Sequence, residues 1–548
     1  MPKKDGTVSK AFTNKPMEIA LNAEQSYVDI FNEVEVDVVF EDEGGSSWRV
    51  PAFWAGDNTY RARFAAPEPG CYTWRSECSN PGDGGFHGQT GHLEAVPYDG
   101  PCDLYRHGRI RTSDSKCTLE HADGTPFLWL ADTWWMGLTT RLDWPDGFRR
   151  LVEDRVRKGF NTIQIVAGPL PDFCATEAIW VPQQANEAGW PWEEEFARIN
   201  PAFYDLADLR LAFLVEQGLM PCVVGMWGYY LPFMGVERCK KHWRNLLARY
   251  GSYPVVWCLC GECTMPTYAH HGAPEGERDR ETQREGWTDV ARYVRDIDPY
   301  ENLLTAHPGW GVPGRQSIKD ESLVDFDMLQ TGHGGYLDLG NSVQAMRDAV
   351  DREPRIPALN GEACYEGIMG GSKDEIQRFL FWTSMLGGAC GHTYGAQGIW
   401  AMSSRDEPFQ GTTRSWGDGF WQDVMHYPGS THVGMGAKVL RRYDWWRLRP
   451  SGRTESDDSE CSFEFAARIP GELVVIYLPA NCIPPELRGD QSKATVGIEP
   501  GTRYQAQYIN PRTGEVKPRA DVTPQNGRWG PPPKPTKEDW VLVLEATA

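Results

Sequence analysis

From Glu33 to Phe40 the chain alternates: Val34, Val36, Val38 and Phe40 fall on one face, and Glu33, Glu35, Asp37 and Val39 on the other. A period of two over that length predicts a strand with one buried face. Turn signals follow at Glu43-Gly44-Gly45-Ser46 and Pro67-Glu68-Pro69-Gly70, and further strands are expected around Tyr60–Phe64 and Tyr72–Arg75. The run Asn80-Pro81-Gly82-Asp83-Gly84-Gly85 reads as a long turn. Residues 17–98 are therefore expected to form a small Ig-like β-sandwich.

From about residue 104 the period changes, and short apolar runs alternate with windows of helical spacing. The strand candidates are Phe127–Asp132, Asn161–Ala167, Met220–Met226, Val255–Gly261, Leu303–His307, Phe326–Thr331, Ile356–Gly361 and Ala389–Tyr394. Between them, Phe148, Leu151, Val152 and Val156 make one helical stripe, and Trp243, Leu246, Leu247 and Tyr250 another. Eight strands with intervening helices predict an α/β fold, a (β/α)8 TIM barrel over residues 104–436. A doubly wound sheet is the competing arrangement, but no Gly-rich phosphate loop follows the first strand. The window Leu440–Trp446 ends a helix, Pro450-Ser451-Gly452 breaks it, and residues 451–548 return to β texture as a second expected β-sandwich.

Composition narrows the function. Of 548 residues, 40% are hydrophobic and 24% charged, as in a globular chain with a sizeable core. No stretch is apolar enough to span a membrane, and the polar start Met1-Pro2-Lys3-Lys4-Asp5-Gly6 carries no apolar signal segment, so a cytoplasmic location is expected. A formal charge of −21 argues against nucleic acid or an anionic membrane as a partner. The 14 cysteines are scattered and read as reduced thiols. The 23 tryptophans include Trp134, Trp135 and Trp227 beside Asp, Thr or Gly, where flat rings suit the C–H faces of sugars. Core packing accounts for most of the others.

Catalytic groups of such barrels come from the carboxyl ends of the strands. Reading only those ends reduces 76 acidic residues to Asp132, Glu262, Glu362 and Glu366. Two share a local pattern, an apolar strand closed by Gly and then Glu: Trp257-Cys258-Leu259-Cys260-Gly261-Glu262 and Pro357-Ala358-Leu359-Asn360-Gly361-Glu362. Glycoside hydrolysis needs two carboxyl groups flanking the scissile bond, and strands 4 and 7 face each other across a barrel mouth. A pair of rim acids neutralised by Arg or Lys is the structural alternative.

The barrel resembles the apiosidase-like glycoside hydrolases. The resemblance lies in Phe127-Leu128-Trp129-Leu130-Ala131-Asp132-Thr133-Trp134-Trp135, Gly159-Phe160-Asn161-Thr162-Ile163-Gln164, Gly361-Glu362-Ala363-Cys364-Tyr365-Glu366 and Gly391-His392-Thr393-Tyr394-Gly395. The front segment, through Trp54-Ala55-Gly56 and Arg61-Ala62-Arg63-Phe64, is similar to a domain of unknown function that often precedes such barrels. The tail, through Tyr508–Gly514, resembles a collagen-binding-like domain. The resemblance implies a retaining mechanism, with Glu262 as general acid/base and Glu362 as nucleophile. The chain departs from the apiosidase pattern in carrying Glu262 where aspartate is expected.

Around this pair, Asp132 is placed to hold sugar hydroxyls, with Trp134, Trp135 and Trp227 as stacking rings. His307, His333 and His392 end strands 5, 6 and 8. They are assigned to sugar hydroxyls or to the nucleophile, with His333 the best placed to touch Glu362. No His-x-His follows strand 1, so no metal and no other cofactor is expected, and Cys258, Cys260 and Cys263 read as structural thiols. Glu366 joins the substrate-binding set, and either Tyr394 or Trp400 is expected to floor the sugar site. The expected activity is exo-acting hydrolysis of a plant- or microbe-derived oligosaccharide, furanosides such as apiosides included. A carbohydrate-binding protein on an inert barrel and a metal-dependent hydrolase are the alternatives.

Overall fold

The computed structural model describes residues 9–171, 184–267, 270, 272–409, 417, 419–451, 461–492 and 494–547. Its centre is a parallel sheet of β1 (Trp129–Trp134), β2 (Thr162–Val166), β3 (Met220–Val224), β4 (Val256–Cys258), β5 (Leu304–Thr305), β6 (Asp327–Gln330), β7 (Ala358–Glu362) and β8 (Gly391–Tyr394). Pairing runs β5-β4-β3-β2-β1-β8-β7-β6. The remaining gap is bridged where Asp325 N donates to Leu304 O at 2.8 Å and Thr305 Oγ1 to Phe326 O at 2.8 Å, so the barrel is nearly closed. Helices α1 (Asp146–Lys158), α2 (Pro201–Glu216), α3 (Val236–Tyr250), α4 (Pro274–Ile297), α5 (Leu339–Asp351), α6 (Asp374–Leu386) and α7 (Pro428–Leu440) complete the alternation.

Strand 1 begins two residues later than the hydrophobic run suggests. Pro126 and Phe127 pair instead with Leu119–Glu120 in a small antiparallel sheet. Within β1 the inward positions carry Trp129, whose Nε1 donates to Thr393 Oγ1 of β8 at 3.1 Å, and Thr393 in turn meets Gln164 of β2. Alternation then turns Asp132 and Trp134 toward the helices. Asp132 is fully buried and accepts from Arg155 of α1 at 2.6 Å and from Trp134 Nε1 at 2.7 Å, while the Trp134 ring stands edge-on to Phe148 of α1. The same register turns His392 and Tyr394 outward on β8. His392 packs edge-on against Phe381 of α6, and burial pushes its imidazole down to about 3, so it is neutral. Tyr394 packs on Phe160 and donates to Glu366 at 2.6 Å. The four residues assigned from sequence to the sugar therefore lie in the layer between strands and helices.

The front segment forms a five-stranded and a three-stranded sheet around a core in which Phe40 and Phe64 stack at 4.0 Å. It docks on the barrel through Arg63, which donates to Asp208 of α2 at 2.6 Å and to Arg249 O of α3 at 2.9 Å. The tail forms a six-stranded antiparallel sheet and a separate two-stranded sheet. It docks on α6, where Arg378 donates to Asp539 at 2.7 Å and Trp382 stacks on Tyr477. Among the described residues no helix is long and apolar enough to cross a membrane.

Removing one partner from a buried ion pair strands the other charge away from water. Asp132→Ala is expected to destabilise the fold by about 3–5 kcal/mol in urea denaturation. A sugar contact at Asp132 would instead leave stability intact and raise KM alone.

Candidate active site

Glu262 lies four residues beyond the last paired residue of β4, with its backbone at φ 42°, in the left-handed region. The preceding Gly261 is needed for packing: a Cβ there would sit 2.1 Å from the Trp227 ring, which lies against this turn. Trp227 Nε1 donates to Glu262 Oε2 at 3.2 Å. Gly361, the matching residue before Glu362, is needed for the same kind of reason, since a Cβ would meet Met328 Cγ at 2.1 Å. Both glycines serve close approach of a neighbouring side chain, and neither has a positive φ.

A register shift brings the two carboxylates onto one donor. Leu329 of β6 pairs with Asn360 of β7, but Gln330 pairs with Glu362, so Gly361 is an extra residue in the ladder. The bulge sets Gln330 beside both acids. Its Nε2 lies 2.9 Å from Glu262 Oε1 and 3.1 Å from Glu362 Oε1. The two oxygens are thus separated by no more than the sum of those lengths, below the ~6.5 Å at which inverting separations begin.

Two histidines complete the surroundings of Glu362. His333 Nε2 lies 2.7 Å from Oε1, and His307 Nε2 lies 3.0 Å from Oε2. His307 Nδ1 accepts from the backbone N–H of Glu262 at 3.4 Å, which leaves its Nε2 carrying the proton toward Glu362. Burial pushes the Glu362 carboxyl up, but the two histidines outweigh it and hold the group well below the usual carboxylate range. Burial likewise opposes charge on His333, yet its hydrogen bonds to Cys364 and Glu362 raise it to about 9. Near neutral pH the pair is carboxylate and imidazolium.

Aromatic rings wall the pair. Trp135 stands edge-on to Trp227 at 5.5 Å and to His307 at 5.3 Å, and donates to Tyr365 OH at 3.1 Å. Trp400 is buried behind Tyr365, stacked at 6.4 Å, with its Nε1 on Gln397 at 3.1 Å. Glu366 is not with them: its oxygens are held by Tyr394 OH and by Gly429 N at 3.0 Å, and burial raises it to about 7. The structure thus gathers Glu262, Glu362, Trp135, Trp227, His307 and His333 at the barrel mouth. It leaves Asp132, Trp134, Glu366, His392 and Tyr394 in the outer packing layer.

Gln330 and Tyr365 belong to the cluster but carry no charge at neutral pH, so a search of strand ends for acids and histidines passes over them. A cavity of about 840 Å³ opens beside Glu262, bordered also by Gln330 and His333. The Cys258 and Cys263 thiols are buried and point at the Cys260 carbonyl. Among the described residues no group of three or more His, Cys, Asp or Glu is arranged to hold a metal ion.

A nearly closed parallel barrel with two glutamates on one amide at its mouth defines a glycoside hydrolase-like protein. The apiosidase-like catalytic domain family matches residues 113–447, and the chain belongs to that family. A domain of unknown function, DUF5060, matches residues 13–79. No curated protein matches the chain. Among solved structures, one from Bacteroides vulgatus, provisionally assigned as a glycoside hydrolase, is similar over 98% of this chain and 100% of its own, at 14% identity and a TM-score of 0.69. A second, described as a glycoside hydrolase, is similar over 80% of this chain and 97% of its own, at 20% identity and a TM-score of 0.63. A family 5 glycoside hydrolase from Bacteroides vulgatus is similar over 80% and 93%, at 18% identity and a TM-score of 0.63. These likenesses are of fold.

The charge on His333 has a consequence for stability. Its folded-state value of about 9 lies above the 6.5 of a free imidazole, so the stabilisation is complete below pH 6.5 and fades as pH rises through about 9. A shift of that size corresponds to at most roughly 3 kcal/mol. His333→Gln keeps a donor and loses the charge. Wild-type stability in urea is expected to fall between pH 6.5 and 9 relative to His333→Gln; a constant difference would show that His333 is uncharged.

Proposed function

We propose that the chain is a retaining, exo-acting glycoside hydrolase, with Glu362 as nucleophile and Glu262 as general acid/base. The observation that carries this reading is the single Gln330 nitrogen on both carboxylates, which fits the ~5–5.5 Å spacing of retaining pairs. The roles follow from the surroundings. Two histidines keep Glu362 ionised, as an attacking group must be. Glu262 has the indole N–H of Trp227 and the Gln330 amide beside it and borders the cavity through which a leaving group departs.

In the first step Glu362 attacks the anomeric carbon while Glu262 gives its proton to the departing oxygen, breaking the glycosidic bond and leaving a glycosyl ester on Glu362. In the second, Glu262, now ionised, takes a proton from water, whose oxygen displaces Glu362 and restores both residues. The two displacements together retain configuration. The sugars to try first are furanosides, apiosides among them, on the strength of the family.

Removing each carboxylate separates the roles. Glu362→Ala is expected to abolish turnover of every substrate, because no glycosyl ester forms. Glu262→Ala should spare the first step for a dinitrophenyl glycoside, whose leaving group needs no proton, and slow unactivated glycosides ~10²–10⁴-fold. Added azide should then occupy the vacated space and release a glycosyl azide of retained configuration. Azide rescue of Glu362→Ala to a retained product would show the roles to be reversed.

A further inference from the structure

The cavity beside Glu262 has a wall that neither catalytic step uses. It is built from the loops after β4, β5 and β7 and carries Met265, Pro266, Trp310, Val312 and Met369. Trp310 is 66% exposed and Met369 62%, among the most exposed large apolar side chains of the described residues. Exposing an indole and a thioether together beside a polar site costs hydration free energy in the empty protein, and a bound apolar partner recovers it.

The edge of the indole lies close to the loop after β6. Gly332, at φ 100° in the loop after β6, has no side chain, and a Cβ there would lie 2.8 Å from Trp310 Nε1 and 2.4 Å from Asp338 Oδ2. The backbone thus takes the edge of the indole and leaves its surface to the cavity.

Two charged groups on the same wall have local partners. Arg280 of α4 pairs with Glu277 on its own helix. Asp338 accepts from the Gly334 N–H at 2.6 Å and so belongs to its own turn. Thr264 adds one hydroxyl. A second sugar unit could lay its C–H face on Trp310 but would bring several hydroxyls needing partners, and an unpaired polar group costs free energy on burial. A flat apolar group needs only the surface of Trp310 and the adaptable side chains of Met265 and Met369.

Glu262 lines this cavity, whereas Glu362 does not and meets it only through its contacts with Gln330 and His333. The wall is therefore on the proton donor's side, where the leaving group sits. We infer that this half of the cavity is an aglycone subsite for a flat apolar alcohol, such as a phenol or other aryl alcohol, and that Trp310 is its specificity-determining residue. The substrate class is then an aryl or other apolar glycoside in place of an oligosaccharide. This inference rests on the roles proposed above for the two glutamates.

The test separates binding from turnover. Binding of 2-naphthol and of methyl glucoside to the full-length protein is measured by calorimetry for wild type, Trp310→Ala and Trp310→Phe. Trp310 is exposed, so both variants are expected to keep the wild-type Tm. 2-Naphthol should bind wild type, about tenfold more weakly Trp310→Ala, and near wild type Trp310→Phe. Methyl glucoside should show no dependence on residue 310. In parallel, one active sugar is presented with a 2-naphthylmethyl or a methyl leaving group, both unactivated. Trp310→Ala should raise KM about tenfold for the first alone, with kcat unchanged. Naphthol affinity indifferent to Trp310, or a Trp310-dependent affinity for methyl glucoside, overturns the aglycone subsite and, in the second case, makes it a sugar subsite. Absence of turnover with any glycoside, alongside the expected naphthol binding, would overturn the glycosidase reading and leave the apolar site standing.

Discussion

A carboxylate buried at the bottom of a protein cavity persists as an anion only when hydrogen bonds replace the water it has lost. Glu362 meets that requirement with hydrogen bonds to His333 and Gln330 and with His307 Nε2 3.0 Å away, drawn from the ends of β5 and β6. Much of the mouth is arranged around keeping those groups in reach. The bulge at Gly361 aligns Glu362 with Gln330. His307 is fixed by the Glu262 backbone, and His333 lies against the Tyr365 ring at 4.4 Å. Because Gln330 and His307 each touch both glutamates, a displacement of either acid is felt by the other.

The flanking domains act on the same arrangement from outside. The helix after β7, α6, carries Arg378, which meets Asp539 of the tail sheet. Asp539 is also held by Arg512 and by Tyr477 OH at 3.1 Å, so a buried carboxylate of the tail ties down the helix that follows the strand of Glu362. On the opposite side Arg63 of the front sandwich joins α2 and α3, whose neighbouring strands lead to Trp227 and Glu262. The two sandwiches thus brace the two halves of the barrel that bring one glutamate each. Nothing in this bracing requires either sandwich to touch a sugar.

The order of the elements was legible in the sequence because hydrophobic periodicity records burial directly. The Gly-Glu ends of strands 4 and 7 were legible for a related reason: glycine before an acid marks a backbone that something approaches closely. What approaches, Trp227 in one case and Met328 in the other, is a tertiary fact that no local pattern carries. Asp132 shows the limit more sharply. An acid at a strand end reads alike whether it faces the mouth or the helices, and a shift of strand 1 by two residues leaves the parity to be decided by partners. Arg155, 23 positions away, decides it. Gln330 was hidden because its role depends on a bulge in the neighbouring strand, and Tyr365 because its partner Trp135 lies 230 positions away.

The glutamate at the strand-4 position, where aspartate is expected, follows from the same geometry. The paired part of β4 ends at Cys258, and residue 262 is reached through a turn with Gly261 pressed against the Trp227 ring. From that backbone the carboxylate must extend to the Gln330 amide on β6, two strands round the barrel. Shortening the side chain by one methylene would withdraw it by about 1.5 Å, the length of a C–C bond. The hydrogen bond from Gln330 at 2.9 Å would then open beyond any useful distance, and the contact from Trp227 with it. Aspartate at this position would need a backbone closer to Gln330. The longer acid is therefore the form of carboxylate that this turn can present to Gln330.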